Sequence, residues 1–179
     1  YSAASSLFCA ETKEQWDYNK NLDQIIGIPN HRFIVQHSKA LEKDLLTDGS
    51  SACFLSLKVN NLSEIYTSFG IKSGDLLQRK IASKISNALP SPKYIFKFSE
   101  TIYIVILVNQ ELSEIQPLKK QLDEAFNNAP FFVDGKSMQV HVELGISCFP
   151  KNGKTLSQLI GASFPKKPTR LTSKAKLPL

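Results

Sequence analysis

The polar residues best placed to do chemistry in this chain lie in one turn. Ser99, Glu100 and Thr101 separate two apolar runs, Tyr94 to Phe98 and Ile102 to Leu107, rich in Ile, Val, Phe and Tyr. Two short buried strands joined by three polar residues predict a tight hairpin with a carboxylate and two hydroxyls at its tip. Other reactive side chains are scattered. His31, His37 and His141 lack the spacing of metal ligands, and His37 reads as a helix residue and His141 as a strand residue. Cys9, Cys53 and Cys148 are odd in number and also without ligand spacing. Cys53 and Cys148 lie inside apolar strand-like runs, so they read as small buried thiols in a reducing, cytoplasmic compartment. Asp134-Gly135 reads as a turn, and Lys119-Lys120 as a solvated helix face.

The elements that must position that turn follow from periodicity. Residues around Glu11 to Tyr18 are helix-compatible, with Trp16 and Tyr18 as anchors. Pro29 can open a helix in its first turn. Phe33, Ile34, His37, Leu41 and Leu45 then form its apolar stripe, which Asp48-Gly49 ends. Ala52 to Val59 is a continuous apolar run broken late by Lys58, as in a central strand. Asn61 to Gly70 predicts a short helix with Leu62, Ile65 and Phe69 inward. Ser73 would cap a second helix, Gly74 to Leu89, with Leu76, Leu77, Ile81 and Ile85 inward. Pro90 and Pro92 end it and lead into the hairpin. Ser113 to Asn127 predicts a third long helix, interrupted early by Pro117. Phe131 to Val133 and Met138 to Cys148 predict a second hairpin around Asp134-Gly135. A short helix follows from Thr155 to about Ile160. This order predicts an α+β domain with helices packed on a central mixed sheet of about five strands.

Bulk properties exclude several classes. With 42% hydrophobic and 21% charged residues, the 179-residue chain has the make-up of one ordinary globular domain with extensions. No apolar run approaches the ~20 residues needed to span a bilayer, so no membrane insertion is expected in this segment. Tyr1 to Ala10 lacks the basic start and long apolar stretch of a signal peptide. The net charge is +6, but Lys166, Lys167, Arg170, Lys174 and Lys176 supply five of those charges from a tail without acids. The body is nearly neutral, which argues against a nucleic-acid surface. The expected organisation is a lead-in over residues 1–20, a domain over 21–163, and a basic, Pro-containing tail over 164–179.

Four stretches, in order across residues 21 to 163, resemble one family, the diguanylate cyclases with a Gly-Gly-Asp-Glu-Phe (GGDEF) signature. Asp23 to Arg32 is similar to the entry motif D-x-L-T-G-L-P-N-R-R. Lys58 to Asp75 is similar to D-I-D-x-F-K-x-I-N-D-x-x-G-H-x-x-G-D. Ser99, Glu100, Thr101, Ile102 and Tyr103 stand at the signature positions. Val142 to Gly153 is similar to V-S-x-G-I-A-x-x-P-x-D-G. The resemblance implies a nucleotidyl-cyclase-like domain with a ferredoxin-type βαββαβ core, in which the entry motif is a structural clasp and Arg32 anchors a nearby loop or carbonyl.

It also implies what has been lost. Active members condense two GTP molecules across a dimer and hold divalent metal with an Asp on the first strand and an acid in the turn, because hard cations take oxygen ligands. Here the first position is Lys58, and Thr101 and Ile102 replace both acids of the signature. Ser99 and Glu100 replace the glycines that let a nucleotide approach the backbone. Tyr66 stands where an Asn would read guanine. Asp75 survives at the second guanine-contacting position, where a helix-dipole role is the competing reading. Lys58, Asn60, Tyr66 and Asp75 are therefore the expected remnant of a nucleotide pocket. The product-inhibition motif R-x-x-D is Pro90 to Lys93, and the helix bearing phosphate-gripping residues diverges into Gly161 to Pro165. Lys58 and Glu100 are expected either to pair in the vacated metal site or to reach solvent separately. The implied function is a catalytically inactive regulatory or interaction domain of a bacterial cyclic di-GMP signalling protein, without cofactor or metal. Its expected partners are sensor or phosphodiesterase (EAL) domains of the same polypeptide and a second copy in a homodimer. The alternative is a GTP-binding sensor without turnover.

Overall fold

A computed structural model of the chain describes residues 18–91 and 93–166. Residues 1–17 of the expected lead-in and 167–179 of the expected tail lie outside the described residues.

The elements are α1 (Tyr18–Asn21), α2 (His31–Leu45), β1 (Ala52–Val59), α3 (Leu62–Phe69), α4 (Ile71–Ala88), β2 (Lys93–Lys97), β3 (Ile102–Val108), α5 (Leu112–Asn127), β4 (Phe131–Val133), β5 (Lys136–Met138), β6 (Val142–Phe149) and α6 (Leu156–Ser163). The α+β architecture agrees with the sequence expectation. Its central sheet has four strands in the order β2-β3-β1-β6, not about five. Each pairing is antiparallel, so the sheet is not mixed. The strand count has a local cause. Met138 to Cys148 is not one strand: β5 turns back on β4 as a separate hairpin, and β6 leaves it to pair with β1. Asn61 fixes the break, because its side chain donates to the Gln139 carbonyl (2.8 Å) and accepts from the His141 N–H (2.9 Å).

Alternation along β1 sorts the core into two layers. Cys53, Leu55, Leu57 and Val59 face the cluster formed by α3, α4, α5 and the small hairpin. Ala52 and Phe54 face α2 and α6. Helix starts differ from expectation where capping decides them. Pro29 lies before α2 rather than in its first turn, and Asn30 caps the helix, accepting from the Phe33 N–H at 3.1 Å. Gly70, at φ 89°, separates α3 from α4 without a loop, so α4 begins at Ile71 and Ser73 lies buried within it. Positive φ at this junction is what glycine supplies at no steric cost. Helix α5 continues through Pro117.

Helix α6 lies close against the sheet. Thr155 and Gln158 form a capping box at its start. Its first turn also reaches α2, where Glu42 accepts from the Leu156 N–H at 2.7 Å. At its far end Ser56 donates to the Ser163 carbonyl (2.5 Å). A Cβ at Gly145 would meet that same carbonyl at 2.0 Å, so only glycine admits this contact.

Cys53 and Cys148 correct the reading of two separate thiols. They occupy directly opposed positions in the β1–β6 ladder and are joined as a disulfide with an S–S distance of 2.17 Å. Antiparallel register brought together two residues 95 positions apart.

Candidate functional site

A cleft of about 920 Å³ opens between the loop preceding α2, helices α3 and α4, and the β2–β3 turn. Its floor is built by the entry loop. Asp23 Oδ1 accepts from the N–H groups of Ile25 (2.9 Å) and Ile26 (2.8 Å). Gly27, at φ 83°, lets the chain reverse so that Asp23 and Ile28 pair through their backbones. The Lys97 N–H then donates to the Pro29 carbonyl at 2.8 Å, joining the loop to β2. The clasp reading of this stretch is therefore correct, but its side-chain anchor is not Arg32. Arg79 donates to the Ile25 carbonyl at 2.8 Å, while Arg32 is exposed and lines the cleft.

Lys97 is the residue that sequence reasoning missed. It is 4% exposed at the cleft floor. Its ammonium donates to Gln78 Oε1, lies 3.7 Å from Asp23 Oδ2 and sits 5.0 Å above the Tyr103 ring. Burial pulls its pKa below the ordinary lysine value, and the charges of Asp23 and Glu100 oppose that shift. The available signal was a lone lysine inside the otherwise apolar run Tyr94 to Phe98. A polar chain continues from there. Gln78 Nε2 donates to the Tyr66 hydroxyl (2.6 Å), which donates to Asp75 Oδ1 (2.6 Å). Burial, then the bond to Asp75, pushes the Tyr66 phenol up to about 12. Its ring lies against Gly74, where a Cβ would meet it at 2.5 Å.

The structure divides the expected site residues into two groups. Tyr66, Asp75, Ser99, Glu100 and Thr101 all line the cleft. Lys58, Asn60, Ile102 and Tyr103 do not. Tyr103 is buried beneath Lys97, and its hydroxyl points to the Gln78 carbonyl at 3.4 Å. Asn60 is exposed, and its backbone N–H donates to the His141 carbonyl. The expected Lys58–Glu100 pair is absent: Glu100 borders the cleft near Lys97, whereas Lys58 stands opposite Glu143 in the β1–β6 ladder. Alternation is the cause, since Lys58 shares the α2/α6 face with Phe54.

Among the described residues no group of three or more His, Cys, Asp or Glu is arranged to hold a metal ion. The charged cleft lining comprises Asp23, Asp75 and Glu100 against Arg32 and Lys97. With acids in the majority, polyphosphate would meet more repulsion than attraction. No helix among the described residues is long and apolar enough to cross a membrane.

Comparison with known proteins agrees with the fold. Residues 20–163 match the family model "Diguanylate cyclase, GGDEF domain". Response regulator PleD of Caulobacter vibrioides is 21% identical over 140 residues, covering 77% of this chain and 31% of PleD. Cyclic di-GMP phosphodiesterase NbdA of Pseudomonas aeruginosa is 23% identical over 142 residues, covering 77% of this chain and 18% of NbdA. The chain thus spans less than a third of either relative. The FimX GGDEF domain of P. aeruginosa superposes with a TM-score of 0.69 at 14% identity, covering 80% of this chain and 89% of that one. Diguanylate cyclase SiaD of P. aeruginosa, solved in complex with its activator SiaC, gives 0.69 at 17% identity, covering 90% and 62%.

Proposed function

This chain belongs to the diguanylate cyclase GGDEF family, and on that footing we propose that it is a catalytically inactive member serving as a regulatory or interaction domain in cyclic di-GMP signalling. The observation that carries the reading is the donor set. At the positions where the family holds divalent metal stand an ammonium (Lys58), a hydroxyl (Thr101) and an alkyl group (Ile102). Lys58 and Ile102 are cross-strand partners on the sheet face opposite α4 and do not line the cleft. An ammonium offers no lone pair to a cation and repels it, so these residues do not fit Mg²⁺.

What the domain keeps is a scaffold. The entry loop, α4 and the β2–β3 hairpin are joined through Asp23, Gln78 and Lys97. Such a body is suited to holding neighbours in a fixed relation. Two comparisons support that use: SiaD has this fold and binds a protein partner, SiaC, and NbdA is a phosphodiesterase much longer than the matched segment.

The cleft's size, with the exposed Arg32 at its border, supports one second reading, a domain that binds GTP without turnover despite the acidic majority of its lining. Incubation of the purified protein with GTP and Mg²⁺ separates the cases. We expect no cyclic di-GMP by mass spectrometry and no calorimetric heat at millimolar GTP. Heat without product supports the sensor, and product in excess of a buffer control overturns both readings.

A further inference from the structure

We propose that Cys53 and Cys148 form a reversible thiol–disulfide switch that controls how firmly the end of β6 and helix α6 are held. This inference is independent of the functional reading above. Three observations carry it together.

First, the bond is dispensable for the fold. Disulfides that hold a domain together occur mainly in small domains lacking sufficient core. Here every residue of β1 from Ala52 to Val59 has a partner on β6, and both cysteines lie within a continuous apolar cluster. A buried free thiol behaves as a small hydrophobe and suits that setting. Both redox states are therefore compatible with the same sheet.

Second, the two sulfurs are provided for unequally. Cys148 is 6% exposed near the end of β6, whereas Cys53 is wholly buried. The Gln110 carbonyl oxygen lies 3.3 Å from Cys53 Sγ, in reach of an S–H donor. Attack by an external thiolate on Cys148 would release Cys53 as the leaving thiol, with an acceptor already in place. A second external thiol then resolves the mixed disulfide. Two electrons and two protons pass from two low-molecular-weight thiols to the protein, leaving two cysteine thiols and the reagent as its disulfide; oxidation runs the same exchange in reverse.

Third, the output lies directly downstream. Cys148 and Asn152 exchange two hydrogen bonds of 2.8 Å, closing the turn that leads to the α6 cap at Thr155. Freeing Cys148 removes the covalent tie from the strand end that carries this turn.

The test uses the full chain with Cys9→Ser, so that only the two cysteines in question report. Protein equilibrated at graded ratios of reduced to oxidised glutathione is quenched in acid, denatured, alkylated and weighed. We expect species with no or two alkylated cysteines, interconverting with the ratio. The reduced form should melt on the order of 10 °C lower with unchanged far-ultraviolet circular dichroism at 25 °C. Its amide exchange should be faster over residues 144–163. A Cys53→Ala/Cys148→Ala variant should lose the reductant response. Two alkylated cysteines at every ratio would show that no bond forms. No alkylation at any ratio, or unfolding of the reduced form at 25 °C, would show a static staple. Any of these results overturns the switch.

Discussion

The two ends of the β2–β3 turn show how differently the parts of one cleft are held. At the inner end Lys97 is buried, and its amine has an amide, a carboxylate and an aromatic face around it. At the outer end Ser99 and Glu100 are exposed, and among the described residues no side-chain hydrogen bond or ion pair holds either one. A few residues along one hairpin thus separate a fully satisfied polar network from a solvated turn. Burial makes the difference. A polar group removed from water must be partnered, whereas a group at an exposed turn is free to change. Exchanging a residue of the outer turn should therefore cost little, whereas exchanging a member of the inner network leaves buried partners behind.

The sharpest way to break this contrast is at the inner end. Lys97→Met should destabilise the protein by about 3 kcal/mol, because it strands Gln78 and leaves Asp23 without its cation. Urea titration followed by circular dichroism would read it, and a change below about 1 kcal/mol would show the network to be incidental. Gly145→Ala should come next, at about 2 kcal/mol, since its methyl group meets the Ser163 carbonyl and α6 must shift. Its effect should appear as a lower denaturation midpoint with the slope unchanged.

Tyr66→Phe should cost about 1 kcal/mol at pH 7 by removing the bonds to Asp75 and Gln78. It also has a pH signature. A phenol whose pKa rises on folding from 10 to about 12 contributes stability that is intact below pH 10 and is lost as pH climbs toward 12. Tyr94 and Tyr103 are shifted in the same direction, so the alkaline decline of the wild type has several sources. Tyr66→Phe should flatten part of it, and an identical pH profile in melting experiments would count against the assignment. The smallest effect belongs to the outer end: Ser99→Gly with Glu100→Gly should alter stability by less than about 0.5 kcal/mol and confer no cyclase activity, because Lys58 remains.

The same distinction explains what could be read from sequence. Continuous apolar runs marked β1 and the β2–β3 hairpin closely, because those strands are covered on both faces, and one-sided periodicity marked α3. Tyr66, Asp75 and the turn residues were placed at the cleft by motif alone. Facing was harder. Lys58 was expected either to pair with Glu100 or to reach solvent separately, and the choice could not be made locally, because which sheet face a strand residue takes depends on register with its neighbours, and that is set by the fold as a whole. The cysteine pairing has the same origin, since nothing local to Cys53 or Cys148 indicates the other. The division of Met138 to Cys148 into two strands depended on Asn61, almost eighty residues upstream. Lys97 was the exception: one charge within an apolar run was a local sign of a buried partner.

The bond between Glu42 and the first turn of α6 has a mechanical consequence. It ties the helix following the entry loop to the last described helix, residues 114 positions apart in the chain. A tug on α2 therefore reaches α6 directly over the back of the sheet, bypassing the cleft. In such a body the route for force and the walls of the cleft are separate, so a load carried between the two helices need not distort the cleft.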